Sequence, residues 1–372
     1  MFIAGEVYAE TYREKTQCRK LHRKTYGGDM RKLLNTLYIT NPGVYLGREG
    51  LNIVIRNDEE ILHRSPIQNY ENIICFNYTG MSPALMALCD EHNVSVCFMT
   101  RSGKLRGRLE GNIPGNVLLR REQFRIADDE EKSLMFAKNF INAKLYNSVK
   151  VIQRALRENR VDGDNEKMMI ALEKMKTSKD RIKEARNSEE LLGVEGDTSH
   201  SYFSVFDDMI LKNKNEFKFD SRNRRPPLDP VNAMLSFTYA LVRILVENAL
   251  KTAGMDPYVG FFHKDRPGRA GLALDMMEEL RAYMADRLVL SSINLGQING
   301  CDFHIKENDA ILFTEDGMKK FLTIWQNRCH ETIIHPFLEE RVEIGLIPYV
   351  QAMLLARTIR GDLEMYPPFF MN

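Results

Sequence analysis

Three segments in the second half of the chain carry side chains that could do chemistry. Leu191-Leu192-Gly193-Val194-Glu195-Gly196 holds a lone carboxylate between glycines, where one helix is expected to end and another to begin. Val259–Arg269 sends His263 out of the aromatic pair Phe261-Phe262 into a charged turn. Leu274–Arg281 sets Asp275 and Glu278 three residues apart, on one face of a helix. That face continues through Ala282 and Ala285, small residues that permit close packing. Carboxylates on a stripe that otherwise reads as buried need partners, and a divalent cation is one. Carboxylate and imidazole without thiolate suit Mg²⁺ or Mn²⁺ better than zinc. Each residue alone also has a structural reading. Glu195 is then an acid favoured by a helix N-terminus, His263 an ordinary core or surface histidine, and Asp275 and Glu278 partners of Arg269 and Arg281.

A second constellation is basic. Lys212, Lys214, Lys218, Arg222, Arg224 and Arg225 lead into Pro226-Pro227-Leu228-Asp229-Pro230, with Phe217 and Phe219 interleaved, and Lys264, Arg266 and Arg269 flank the histidine. A charge run is commonly a solvated loop. Beside a carboxylate metal site it is also what phosphodiester chemistry needs, since cations hold the backbone while a metal acts on one phosphate. His330-Glu331-Thr332-Ile333-Ile334-His335 imitates a zinc-protease motif, but its histidines are five residues apart. Five residues turn a helix by about 500°, which leaves the rings on different faces.

These residues sit in a chain of 372 residues whose 52 basic and 51 acidic side chains nearly cancel. Any affinity for nucleic acid must therefore come from local patches. A 44% hydrophobic and 28% charged composition with 23 Gly and 13 Pro excludes disorder and collagen-like repeats. The six cysteines (18, 75, 89, 97, 301 and 329) form no CxxC pair, which argues against structural zinc and a disulfide scaffold and fits a reducing compartment. The start lacks a signal-peptide pattern. The longest apolar stretch, Ala233–Leu250, is interrupted by Arg243 and Glu247, as expected of a soluble helix. A cytoplasmic protein is expected.

The elements that must position the site fall into two kinds. Strand patterns occupy Leu33–Thr40, Val44–Leu46, Leu51–Ile55, Ile61–Ile67, Ile73–Phe76 and Val94–Met99, and Ser82 caps a short helix at Pro83–His92. No phosphate-cradling glycine loop follows a strand. Acids at Asp128–Glu131 open a long helix to about Leu156, and Asp164 begins another through Arg186. Apolar periodicity marks further helices at Tyr202–Lys212, Pro230–Ala253, Ala270–Val289, Thr314–Cys329 and Ile334–Thr358. The expected fold is α+β: a β-rich N-terminal domain (30–120), a small sandwich or folded sheet, followed by a larger all-α catalytic domain (121–372). Residues 1–29 carry six cations and no apolar stripe. They read as a disordered extension or misassigned start, or as a basic arm for nucleic acid.

Several long segments, in order, resemble the CRISPR-associated spacer-acquisition integrases. They are Gly193-Val194-Glu195-Gly196 with Tyr202-Phe203, then Arg222-Asn223-Arg224-Arg225-Pro226-Pro227-Leu228-Asp229-Pro230, Gly260-Phe261-Phe262-His263, Asp275-Met276-Met277-Glu278, and Arg360-Gly361-Asp362-Leu363 with Tyr366-Pro367-Pro368-Phe369. The resemblance runs from about Met30 to the C-terminus, and its proline-rich segment and ending look like members that accompany type I-C systems. It implies a metal-dependent DNA endonuclease and integrase that inserts foreign DNA fragments as spacers. A fragment 3′-hydroxyl attacks a phosphodiester at the edge of a CRISPR repeat. Glu195, His263 and Glu278 are then the catalytic metal ligands for Mg²⁺ or Mn²⁺; the last position is Asp or Glu among members. Asp275 is an auxiliary carboxylate, and Arg222, Arg224, Arg225, Lys264, Arg266 and Arg269 contact DNA. The implied partners are double-stranded fragments, repeat DNA, a second copy of the chain, and the small second CRISPR-associated protein in a heterohexamer. The segment before Met30 departs from the family pattern. The competing class is a non-catalytic DNA-binding scaffold, in which the three ligands are structural.

Overall fold

The computed structural model describes residues 36–371, apart from 42, 58–59, 71, 77–78, 93, 101–104, 110–115, 159–164, 225 and 265. Residues 1–29 and Arg225 lie outside the described residues. The N-terminal region holds β1 (Thr36–Ile39), β2 (Tyr45–Glu49), β3 (Asn52–Asn57), β4 (Glu60–Pro66), β5 (Asn72–Phe76), β6 (Gly80–Met81), α1 (Pro83–Glu91), β7 (Ser95–Met99) and β8 (Leu105–Leu109). They form two sheets, ordered β4-β3-β2-β6 and β1-β5-β7-β8. β1, β5 and β7 run parallel, and β8 closes the edge antiparallel. Gly50, at φ +62°, makes the turn between β2 and β3.

The period of a strand explains how the sheets are layered. Ile73 and Cys75 of β5 and Val96 of β7 pack with Leu46, Ile53 and Leu85 between the sheets. The alternate residues Ile74, Phe76, Cys97 and Met99 join the core of the helical region. The central strands β5 and β7 are thus buried on both faces, which is why they read as largely apolar runs. The expected sandwich is present, with helices as its third layer.

The helical region comprises α2 (Val117–Asp128), α3 (Glu130–Arg157), α4 (Asn165–Glu184), α5 (Ser188–Phe203), α6 (Pro230–Thr252), α7 (Gly271–Glu278), a π-helical turn (Arg281–Asp286), α8 (Arg287–Asn294), α9 (Glu315–His330) and α10 (Ile347–Ile359). Two hairpins interrupt it: β9 (Phe303–Ile305) with β10 (Ile311–Phe313), and β11 (Thr332–Ile334) with β12 (Arg341–Glu343). Side chains cap the helices where the sequence offers them. Asp129 accepts from Lys132 N at 3.0 Å, Asn187 from Glu190 N at 2.8 Å, and Asp229 from Asn232 N at 2.7 Å with Pro230 at the first helical position.

Three expected elements differ. The helix expected at Tyr202–Lys212 instead lies upstream, as α5. The chain after it turns because Asp207 accepts from Phe219 N at 2.8 Å and pairs with Lys214 at 2.9 Å. Glu195 therefore sits inside a helix and not between two. The helix expected over Ile334–Thr358 begins only at Ile347. Pro336 and the β-branched run Thr332-Ile333-Ile334 favour the β11–β12 hairpin before it. The helix expected at Ala270–Val289 is broken by the π turn, in which Arg287 N bonds to Ala282 O, five residues back.

α6 is long and apolar enough to cross a membrane by length and composition, but two-thirds of it is buried among the other elements. Its interrupting charges tie the layers together. Glu247, almost fully buried, takes Arg243 Nε at 2.6 Å and Arg108 Nη1 of β8 at 2.8 Å. Replacing Glu247 by Ala leaves a buried guanidinium without its carboxylate. It is expected to lower unfolding free energy by about 3–5 kcal/mol, read from urea denaturation, with the conservative Glu247→Asp losing less.

Candidate active site

α3, α5 and α7 converge where the charged residues meet. Glu195 projects from α5 and Glu278 from the last turn of α7, and Lys144 of α3 reaches both. Its Nζ bonds to Glu195 Oε1 and lies 2.8 Å from Glu278 Oε2. Ser199, one turn along α5, donates to Glu195 Oε1 at 2.8 Å. Arg281, at the head of the π turn, lies 3.1 Å from Glu278 Oε1. Glu278 is 2% exposed. Burial alone would raise its pKa, but Arg281, Lys144 and His263 outweigh it and hold the carboxyl at about 2. It is an anion at every physiological pH. Its Oε2 is buried, with the Lys144 ammonium as its partner.

Asp275 turns to a different task from Glu278. One carboxylate oxygen accepts Phe261 N at 2.6 Å and Phe262 N at 2.9 Å; the other accepts His263 N at 2.8 Å and faces His263 Nδ1 at 2.7 Å. A carboxylate can only accept, so Nδ1 carries a proton, and in the neutral ring Nε2 is the nitrogen with a lone pair. The loop lies so close to α7 that two positions admit only glycine. A Cβ on Gly260 would fall 2.6 Å from the backbone of Gly271, and one on Gly271 would fall 2.6 Å from His263 O. Among the described residues no three His, Cys, Asp or Glu side chains are grouped as a metal cage. The place between the two glutamates is held by the Lys144 ammonium.

A cleft of about 690 Å³ opens beside this centre, lined by Lys144, Glu195, Ser199, Arg281, Arg222 and Arg224 among others. Arg222 and Arg281 each lie over the ring of Tyr239, at 5.4 and 5.2 Å from its centre, and Tyr239 donates to Asp286 at 2.6 Å. Arg222 is not a free surface cation. Its guanidinium is part-buried and donates to Asn232 at 2.5 Å and Ser236 at 3.0 Å. Arg224 is exposed, as are Lys264 and Arg266; Arg269 is half-buried. Burial raises Asp286 from its ordinary 3.8 to about 6, against the pull of Tyr239, Tyr202, Arg281 and Arg222.

Sequence reasoning missed Lys144. The signal was there: Phe136, Phe140, Lys144, Ser148 and Ile152 recur every four residues, and a lysine on a buried row implies a carboxylate partner. Arg281 entered only as an alternative partner and does pair with Glu278, but Asp275 pairs with the histidine loop and not with Arg269. The false zinc motif does not converge: His335 is buried against Gln351 at 3.1 Å, while the exposed His330 faces Glu343 at 3.3 Å.

Two outcomes follow from this geometry. Asp275→Ala strands three backbone N–H groups and is expected to cost at least about 3 kcal/mol in a urea titration, with Asp275→Asn intermediate. Asp286 has a folded pKa above its unfolded one, so its contribution to stability is present in acid and lost as pH rises from 3.8 through about 6. Unfolding free energy measured across that window should fall with pH in the unaltered protein relative to Asp286→Asn.

A family model described as CRISPR associated protein Cas1 matches residues 37–327. The chain is 44% identical over 340 residues to CRISPR-associated endonuclease Cas1 1 of Chlorobaculum tepidum, covering 91% of this chain and 99% of that protein. Its fold is shared with a casposase bound to integration product, with a TM-score of 0.77 and 23% identity over 90% of this chain and 94% of that one. It is shared also with a chain of a Cas6-RT-Cas1–Cas2 complex, with a TM-score of 0.79 and 20% identity over 94% of this chain and 38% of that one. The family match, the relative matched along nearly its whole length and the common fold agree with the motifs read from the sequence: the chain belongs to the Cas1 family.

Proposed function

We propose that this chain is a divalent-metal-dependent DNA endonuclease and integrase of CRISPR adaptation, which joins the 3′-hydroxyl of a short DNA fragment to a phosphodiester at a CRISPR repeat. The observation that carries this reading is the convergence of Glu195 and Glu278, from separate helices, on a single cation at the edge of a basic cleft. The donor set suits a hard ion: two carboxylates, one with a buried oxygen met by the Lys144 ammonium, and an imidazole whose Nε2 is left to coordinate. Glu195, His263 and Glu278 would hold Mg²⁺ or Mn²⁺ there. Such an ion neutralises charge on the reacting phosphate and stabilises the departing oxygen.

The protein's own groups do the positioning. Asp275 fixes the tautomer and direction of His263 and so acts through it. Arg281 and Arg222, aligned over Tyr239, give the cleft wall a positive face toward a phosphate. Exposed Arg224, Lys264 and Arg266, with Arg269 and Arg225, meet the DNA backbone, which sets register without reading bases. The family resemblance supports a homodimer joined to the small second CRISPR-associated protein, acting on fragment and repeat DNA in a prokaryotic cytoplasm.

The test is strand transfer of a short duplex into a repeat-bearing plasmid, with and without the small partner, in Mg²⁺, Mn²⁺ or EDTA. Alanine at Glu195, His263 or Glu278 should reduce the rate on the order of a hundredfold or more, and Asp275→Asn about ten- to a hundredfold. EDTA-resistant transfer would defeat the metal reading. Glu substitutions at Arg224, Lys264 and Arg266 should weaken binding to all duplexes alike and reduce the slope of affinity against salt by about one per cation lost.

A further inference from the structure

We infer that Lys144 is a resident counter-cation that occupies the metal position of the metal-free protein and must be displaced for the metal to bind. The inference rests on the metal reading of Glu195, His263 and Glu278 proposed above. Lys144 Nζ lies against one oxygen of each glutamate and so bridges the two carboxylates. Charge for charge, the two glutamates are offset by Lys144 and Arg281. A divalent ion added beside them would sit within a few ångströms of the ammonium in a poorly screened place, where like charges repel by several kcal/mol at an effective dielectric of about 20. The two cations cannot share the seat.

Glu278 Oε2 is a buried oxygen that the ammonium reaches at 2.8 Å, with no further hydrogen-bond donor on it. Once the lysine leaves, that oxygen is open to a metal. Arg281 holds the other oxygen of Glu278, so the carboxylate keeps its orientation when the lysine leaves. Lys144 has somewhere to go. Its side chain is 13% exposed and lines the cleft, and a four-carbon stem lets the ammonium swing into that space while its helix stays put. Lys144 is thus a positioning residue that sets metal affinity and holds the two carboxylates together until the ion arrives.

The experiment is Mn²⁺ titration of the full chain, followed by the electron paramagnetic resonance of free Mn²⁺, on the unaltered protein, Lys144→Met and Lys144→Arg. Thermal unfolding in EDTA and in Mn²⁺ accompanies it. Removing the competitor should tighten Mn²⁺ binding about tenfold or more in Lys144→Met. Lys144→Arg, whose planar guanidinium grips carboxylates in a bidentate fashion, should weaken it. Lys144→Met should also unfold at a lower temperature than the unaltered protein in EDTA and gain more from Mn²⁺. A merely structural lysine would not move affinity in opposite directions in the two variants. Equal Mn²⁺ affinity in all three proteins, or weaker binding by Lys144→Met, overturns the inference while leaving the metal reading intact. If neither the unaltered protein nor Lys144→Met binds Mn²⁺ at millimolar concentration, the metal reading itself fails and takes this inference with it. Should Lys144→Met fail to fold, Lys144→Gln and Lys144→Arg carry the same comparison.

Discussion

Two carboxylates brought together among packed helices repel each other unless a cation stands between them, and much of this molecule's helical region is arranged around that requirement. Glu195 and Glu278 come from α5 and α7, and the group that reconciles them comes from α3. Ionic contacts formed away from water are strong only when geometry is good and the remaining atoms are satisfied. Here Ser199 and Arg281 complete the surroundings, Arg281 reaching the carboxylate of Glu278 three residues back from the head of the π turn. A widened turn in a helix that would otherwise be regular is a local irregularity retained at the centre of the charge cluster.

The histidine depends on a separate device. Its loop has little regular structure and is held instead by one buried carboxylate that accepts three backbone N–H groups and the imidazole. Gly260 and Gly271 allow the loop to approach α7 until backbone meets backbone. A loop anchored in this way gives the imidazole the precision that a helix would have provided. The β-rich region stands behind this assembly. The central strands of one of its sheets are buried on both faces, and Glu247 of α6 is clasped by Arg108 from that sheet's edge strand, so the helical core rests on the sheet.

Much of this was legible in the amino acids. Alternation and turn residues marked the strands, and the capping Ser82 and the acids Asp128–Glu131 marked helix starts, because these signals act within a few residues of chain. The motifs carrying Glu195, His263 and Glu278 were recognisable for the same reason. Where local signals conflicted, the reading failed. Glycines on both sides of Glu195 suggested a break, yet tertiary packing kept α5 continuous through them. The apolar stretch after Ile334 suggested a helix, yet proline and β-branched residues made a hairpin first.

Sequence alone determined the types of most elements, the α+β order, the family and the acids and histidine that carry its motifs. It left open which charge answers which. Asp275 and Glu278 look equivalent at a spacing of three, and only the folded chain sends one to the histidine loop and the other to Lys144 and Arg281. The reason is the range of the forces involved. Helix and strand preferences are written in neighbouring residues, whereas the partner of a buried charge is chosen by distance in space. Lys144 lies 51 residues from Glu195 in the chain, and only the packing of α3 against α5 and α7 puts them in contact.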